Sequence, residues 1–217
     1  MTGHNAKAED KANSHNHSHK NGHDFFHKRF DDAEKWSQKF DDPKRDQWQK
    51  PEAVINALPI KENSVVADIG SGTGYFATRL AKRHPNSKII GVDVEPDMVA
   101  YLKKRADAEG LKNVESLLIP ADSDVKLPEA VDLILVVDTY HHIPDREKYF
   151  KNLLQFLKPN GQLSIIDFKI DSPEGPPAEH RIQPDQIREE LKSAGFEQTK
   201  SIDILPYQFF LMFKKTE

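Results

Sequence analysis

From residue 62 onward the apolar residues alternate between two rhythms. VVADI (65–69) is a nearly continuous apolar run with a single acid, which predicts a strand buried on both faces. Phe76, Ala77, Leu80 and Ala81 then recur at helical spacing, and Pro85 stops that helix. KIIGVDV (88–94) predicts a second strand. Met98, Val99, Leu102 and Ala106 mark the next helix, closed by Gly110. VESLLI (114–119) and VDLILVV (131–137) predict strands three and four, and Tyr149, Phe150, Leu153, Leu154 and Leu157 form another helical stripe. KPNG (158–161) reads as a turn, QLSIIDF (162–168) as the fifth strand, and Ile187, Leu191 and Ala194 as a last helix ended by Gly195. Two closing strands are expected near 197–204 and 207–214. Strands alternating with helices pair in parallel through right-handed crossovers. The expectation is therefore an α/β fold with a doubly wound, seven-stranded sheet. It is mostly parallel, with an antiparallel hairpin at its C-terminal edge, because only a short turn around Pro206 joins the last two strands.

Upstream of residue 62 the pattern differs. Residues 1–28 are rich in His, Lys, Asn and Ser, which reads as a disordered tail holding His4, His15, His17, His19, His23 and His27. Its two-apart and four-apart histidines can take up Zn²⁺ or Ni²⁺ adventitiously, or be simply solvated. Residues 29–60 carry Phe30, Trp36, Phe40 and Trp48 among many charges, with breaks at Pro43 and Pro51. They predict a cap of short helices lying on the main domain, 61–217.

Composition narrows the function. The 217 residues suit one α/β domain with an extension. The absence of cysteine excludes disulfides, thiolate metal sites and a cysteine nucleophile. A net charge of −4 gives no general nucleic-acid-binding surface. No apolar run approaches the ~18 residues of a membrane span, and no signal-peptide pattern opens the chain. A cytoplasmic protein without membrane or nucleic-acid partners, and without a catalytic metal, is expected.

The first strand runs into Gly70-Ser71-Gly72-Thr73-Gly74 and then a helix. Glycines there permit a tight turn and close approach of a ligand to the backbone, at the carboxyl edge where doubly wound sheets bind ligands. A dinucleotide fingerprint needs a sixth-position glycine, and Tyr75 stands there; a phosphate-binding P-loop needs Gly-Lys-Ser/Thr, which is absent. Asp68, Asp93 and Asp122 end or follow the first three strands. Three acids on one edge suit a ligand with amine, diol and amino-base groups, and repel a pyrophosphate.

At these residues the chain resembles the class I S-adenosylmethionine-dependent methyltransferases, a Rossmann-like family, in its small-molecule branch that includes quinone-ring methyltransferases. The resemblance rests on VADIGSGTGYF (66–76), GVDVEPDM (91–98), PADSDVKLP (120–128), VDLILVVDTYHHIPD (131–145) and LKPNGQLSIIDF (157–168), in the family's order. It implies S-adenosylmethionine as cofactor, with Gly70, Ser71, Gly72 and Gly74 wrapping it. Asp68 would lie near the methionine amino group, Asp93 with Val94 at the ribose, and Asp122 at the adenine amine. Met98 either packs on the adenine or is plain core.

The acceptor side falls after the fourth strand, at Asp138, Thr139, Tyr140, His141 and His142. Asp138, Tyr140, His141 and His142 are the catalytic candidates; either histidine can serve as a base near neutral pH, or cap and pack the following helix. Trp36 and Trp48 either cover the pocket or pack on the domain. His180 and Arg181 lie in a Pro/Gly-rich candidate lid, Arg181 reading as a carboxylate ligand or a surface cation, while Phe209 and Phe210 read as core. Methyl transfer to a small-molecule acceptor is the expected function. A cofactor-binding, non-enzymatic protein with a metal-binding tail, and an NAD(P)-dependent oxidoreductase, are the alternatives.

Overall fold

The computed structural model describes residue 30 and residues 32–216. The expected His-rich tail, 1–28, lies outside the described residues. The strands are β1 (Val65–Ile69), β2 (Lys88–Asp93), β3 (Val114–Leu118), β4 (Val131–Val137), β5 (Leu157–Phe168), β6 (Phe196–Ser201) and β7 (Gln208–Lys215). The helices are α1 (Ala33–Phe40), α2 (Arg45–Gln49), α3 (Pro51–Ala57), α4 (Tyr75–Arg83), α5 (Pro96–Ala108), α6 (Arg146–Leu154) and α7 (Pro184–Ser193).

The sheet runs β3-β2-β1-β4-β5-β7-β6. Pairing is parallel up to β5, and β7 is antiparallel to both its neighbours. Strand order reverses between β1 and β4, and that switch point is where ligands bind in such sheets. Alternate residues of the strands feed two cores. Ala67, Ile69, Ile134 and Val136 join Phe150 and Leu153 of α6 and Ile187 and Leu191 of α7. Val66, Leu133 and Leu135 join Val54 and Ile55 of α3, Phe76 and Leu80 of α4 and Leu102 of α5.

The expected antiparallel hairpin forms at the C-terminal edge, with β7 between β5 and β6 and β6 outermost. Composition explains the order: Gln208 to Phe213 are buried in succession, as an inner strand requires, whereas FEQTKS of β6 is largely polar and tolerates the edge. One local expectation, the turn at 158–161, needs correction: KPNG lies within β5. Val131 pairs with Leu157 and Leu133 with Gln162, so Lys158–Gly161 loop out as a bulge. Among the described residues, no helix is long and apolar enough to cross a membrane.

Candidate active site

The carboxyl ends of β1, β2 and β4 open onto a cavity of about 850 Å³, roofed by α1 and α2. After β1 the chain takes left-handed conformations at Gly70 (φ 72°), Gly72 (φ 54°) and Gly74 (φ 88°), which glycine adopts without a Cβ clash. The three positions do different work. A Cβ on Gly70 would lie 2.3 Å from Thr139 Oγ1, and one on Gly74 2.4 Å from Leu102 Cδ1, so both glycines serve close packing. Gly74 caps α4 and does not line the cavity. Gly72 faces open space, with only the Phe40 ring at 3.6 Å. The N–H groups of Gly70 and Ser71 donate to Val92 O (2.8 and 3.0 Å), and Gly72 N–H donates to Asp93 Oδ2 (2.8 Å). The loop is thus pinned to the end of β2.

Asp68 is buried at the cavity, and its Oδ2 has no partner. Burial raises its carboxyl to about 7, against the pull of Arg45 and with help from the Asp93 charge. Asp93 is also raised by burial, opposed by the N–H groups of Glu95, Gly72 and Val94. Val94 is exposed on the cavity wall, whereas Met98 is fully buried yet still lines it. Asp122 lies on the exposed loop after β3, at the rim.

Asp138 follows β4 with φ 55°, a left-handed conformation that Asp tolerates better than most residues. Arg45 Nη2 donates to its Oδ2 at 3.0 Å and the Gln208 amide donates to its Oδ1. Gln49 Nε2 donates to Gln208 Oε1 (2.7 Å) and Gln49 Oε1 accepts from Arg45 Nε and Nη2 (3.2 Å each), which closes a four-residue ring of hydrogen bonds. Burial raises the Asp138 carboxyl to about 7, against Arg45.

His141 is buried at the cavity, with Nδ1 2.9 and 3.0 Å from the two oxygens of Asp167. Asp167 also accepts the backbone N–H of His141 (3.2 Å) and of Phe168 (2.8 Å). A carboxylate only accepts, so Nδ1 carries the hydrogen and the neutral ring's free lone pair is on Nε2. Burial alone would lower the His141 pKa, but the charge and hydrogen bond of Asp167, with the Asp138 charge, raise it. The His142 ring lies 4.1 Å from that of His141 and also faces the cavity.

Tyr140 departs from its expected catalytic place. It is fully buried away from the cavity, stacked on Phe150 at 5.1 Å, with its hydroxyl donating to Glu190 Oε2 at 2.6 Å. The 3₁₀ turn Tyr140–His142 sends its first side chain into the α6–α7 core and the next two to the cavity. Arg181 is partly exposed, and its guanidinium is engaged by backbone carbonyls and not open to a carboxylate. Its guanidinium donates to the carbonyls of Lys169, Ile170, Ser172, Glu174 and Pro176, which shapes the loop after β5. His180, Trp36 and Trp48 line the cavity, and Phe209 and Phe210 are core. Sequence reading missed Arg45, Gln49, Asp167 and Gln208. An acid ending an apolar strand had singled out Asp68, and the same signal was present at Asp167.

A model of the methyltransferase domain matches residues 60–205. A SAM-dependent methyltransferase from Aquifex aeolicus superposes with a TM-score of 0.76 and 30% identity, covering 84% of this chain and 97% of that one. The demethylmenaquinone methyltransferase of Thermus thermophilus is 30% identical over 105 residues, 48% of this chain and 46% of that protein. The trans-aconitate 2-methyltransferase of Afipia carboxidovorans is 30% identical over 145 residues, 65% and 54% of the two chains. The chain spans about half the length of the curated relatives it matches. None of these likenesses favours the oxidoreductase or non-enzymatic alternatives. With the doubly wound sheet, the glycine loop and these matches together, the chain belongs to the S-adenosylmethionine-dependent methyltransferases.

Proposed function

We propose that the chain transfers a methyl group from S-adenosylmethionine to a small-molecule acceptor held beneath α1 and α2, with His141 as general base. The observation that carries this reading is the grip of Asp167 on His141 Nδ1 at the cavity. It fixes the ring and leaves Nε2 as the basic nitrogen.

The residues fit the cofactor. The unpartnered Oδ2 of Asp68 is a buried acceptor for an ammonium group. Asp93, held by backbone N–H groups that include those of Gly72 (2.8 Å) and Glu95 (3.0 Å), keeps lone pairs for a diol. Gly72 leaves room at the loop, and Met98 and Val94 supply apolar surface to a base, with Asp122 at the rim. The bound cofactor supplies an electrophilic methyl on a sulfonium that departs as a neutral thioether. The remaining work falls to the protein. The cap excludes water and sets the acceptor in line, and His141 Nε2 receives the acceptor's proton. Asp167 stabilises the resulting imidazolium. Asp138, with both oxygens engaged, anchors the cap over the site. The relatives are named for unlike acceptors, a demethylmenaquinone and trans-aconitate, so likeness alone does not choose one.

Calorimetric titration with S-adenosylmethionine, S-adenosylhomocysteine and NADH is the test. Micromolar binding of the first two and none of NADH is expected; binding of NADH alone would overturn the reading. With a methylated acceptor in hand, His141→Gln lowers kcat by about 10²-fold or more while leaving S-adenosylhomocysteine affinity unchanged. An unaltered kcat removes His141 from the chemistry.

A further inference from the structure

The acceptor side of the cavity has a wall of rings. Trp36 and Phe30 meet at 4.9 Å between centroids, Phe30 and His142 at 5.7 Å, and His142 and His141 at 4.1 Å. The path continues from His141 to Phe168 at 6.2 Å and from Phe168 to Trp48 at 5.9 Å. All six rings line the one cavity, and His141 stands in the middle of the arc. They come from three segments far apart in sequence, 30–48, 141–142 and 168, so the arc is assembled by the fold and not by one aromatic stretch.

The charges around it are equally telling. Arg45 is the buried cation of this wall, and its guanidinium is already committed to Asp138, Gln49 and the Phe40 carbonyl. The buried acids Asp138 and Asp167 are committed to Arg45, Gln208, His141 and the backbone. Lys39, Lys148 and Glu174 lie at the cavity mouth and are exposed. With Asp68 taken by the cofactor's ammonium group, a second ammonium beside His141 would lose its water without gaining an uncommitted buried carboxylate, and a carboxylate there would lose its water without gaining an uncommitted buried Arg or Lys. A neutral ring loses little and gains stacked and edge contacts.

We propose that the acceptor is a planar aromatic hydroxyl compound, a phenol or hydroxylated heteroarene, bound against the Trp36–Phe30–His142–His141–Phe168–Trp48 arc with its hydroxyl at His141. This rests on the methyl-transfer reading above. The hydroxyl proton goes to His141 Nε2, the oxygen forms the new bond to the methyl carbon, and the carbon–sulfur bond breaks with its electron pair left on sulfur. The products are the aryl methyl ether, S-adenosylhomocysteine and a proton released from the imidazolium to solvent.

Three probes on one ring system separate the classes: 2-naphthol, 2-naphthoate and 2-naphthylmethylamine, each titrated into the full chain saturated with S-adenosylhomocysteine. The naphthol is expected to bind at least about tenfold more tightly than the other two. With S-adenosylmethionine it should gain one methyl on oxygen by mass spectrometry. Trp36→Leu should weaken naphthol binding and leave S-adenosylhomocysteine affinity unchanged. Preference for the naphthoate or the amine, methylation on a carboxylate or nitrogen, or no binding by any probe to the saturated protein overturns the acceptor class while the cofactor reading stands. Failure of S-adenosylhomocysteine itself to bind overturns both.

Discussion

Arg45 Nη2 donates to Asp138 Oδ2 at 3.0 Å and so ties the second cap helix to the carboxyl end of the central strand β4, 93 residues away in sequence. The same guanidinium lies 4.0 Å over the Tyr75 ring and donates to the Phe40 carbonyl at 3.0 Å. One side chain therefore joins α1, α2, α4 and the β4 loop. The roof of the cavity is fastened at the loop after β4, three residues before His141.

Removing Arg45 should cost more than a surface ion pair would. Both partners are largely buried, so Arg45→Met strands the Asp138 carboxylate in the cavity wall. A loss of about 3 kcal/mol in unfolding free energy is expected from urea titration at pH 8. Asp138→Asn added to Arg45→Met should cost much less than the sum of the single changes, because the stranded charge goes with it. Additive losses would mean that the pair does not couple.

Tyr140→Phe separates packing from chemistry. The lost hydroxyl leaves Glu190 still bonded to Arg146 at 2.7 and 2.8 Å and to Gln186 at 2.8 Å. The expected cost is about 1 kcal/mol of stability with kcat unchanged. A large fall in kcat with a normal melting temperature would return Tyr140 to the reacting centre.

The contrast between Asp68 and Asp138 explains what the sequence made legible. The proposed role of Asp68 follows from local rules: an apolar strand, an acid near its end, and glycines that only a tight turn requires. The same rules yielded all seven strands. Asp138 was visible as a polar residue at the right edge, but its partners were not. Arg45 and Gln208 reach it across 93 and 70 residues, and no periodicity encodes such a meeting. Tyr140 failed for a related reason. Adjacent residues of a 3₁₀ turn point to different sides, and which side is cavity depends on α7, where Glu190 waits 50 residues on.

The glycine loop gives a graded prediction. Gly70→Ala places a methyl 2.3 Å from Thr139 Oγ1, which is itself bonded to Val137 O at 2.9 Å, so the loop must shift. Gly72→Ala meets nothing closer than 3.6 Å and pays mainly for its positive φ, about 1 kcal/mol. Thermal melting should show the larger loss for Gly70→Ala. Calorimetry should show weakened S-adenosylhomocysteine binding for Gly72→Ala even where the protein is folded, since its methyl enters the cavity. Full affinity in Gly72→Ala would place the ligand elsewhere.

With Asp68 as the proposed ammonium ligand, opposite pH trends are expected for stability and for cofactor binding. Its carboxyl ionises at about 7 in the folded chain against 3.8 ordinarily, so the folded state holds the proton more tightly than the unfolded one. Its contribution to stability is fully present below 3.8 and is lost as pH rises to about 7. Asp138, shifted the same way, acts in the same direction. A bound ammonium needs the ionised carboxylate, so S-adenosylhomocysteine affinity should rise about tenfold between pH 6 and pH 8. Asp68→Asn removes the buried charge. It should melt higher than the parent at pH 8 without ligand, bind S-adenosylhomocysteine more weakly there, and show a flatter affinity profile. The Asp93 and Asp138 carboxyls, both raised by burial, remain in that variant and account for a residual slope. A parent profile that is already flat from pH 6 to 8 would take Asp68 away from the ammonium group, whatever the variant's affinity.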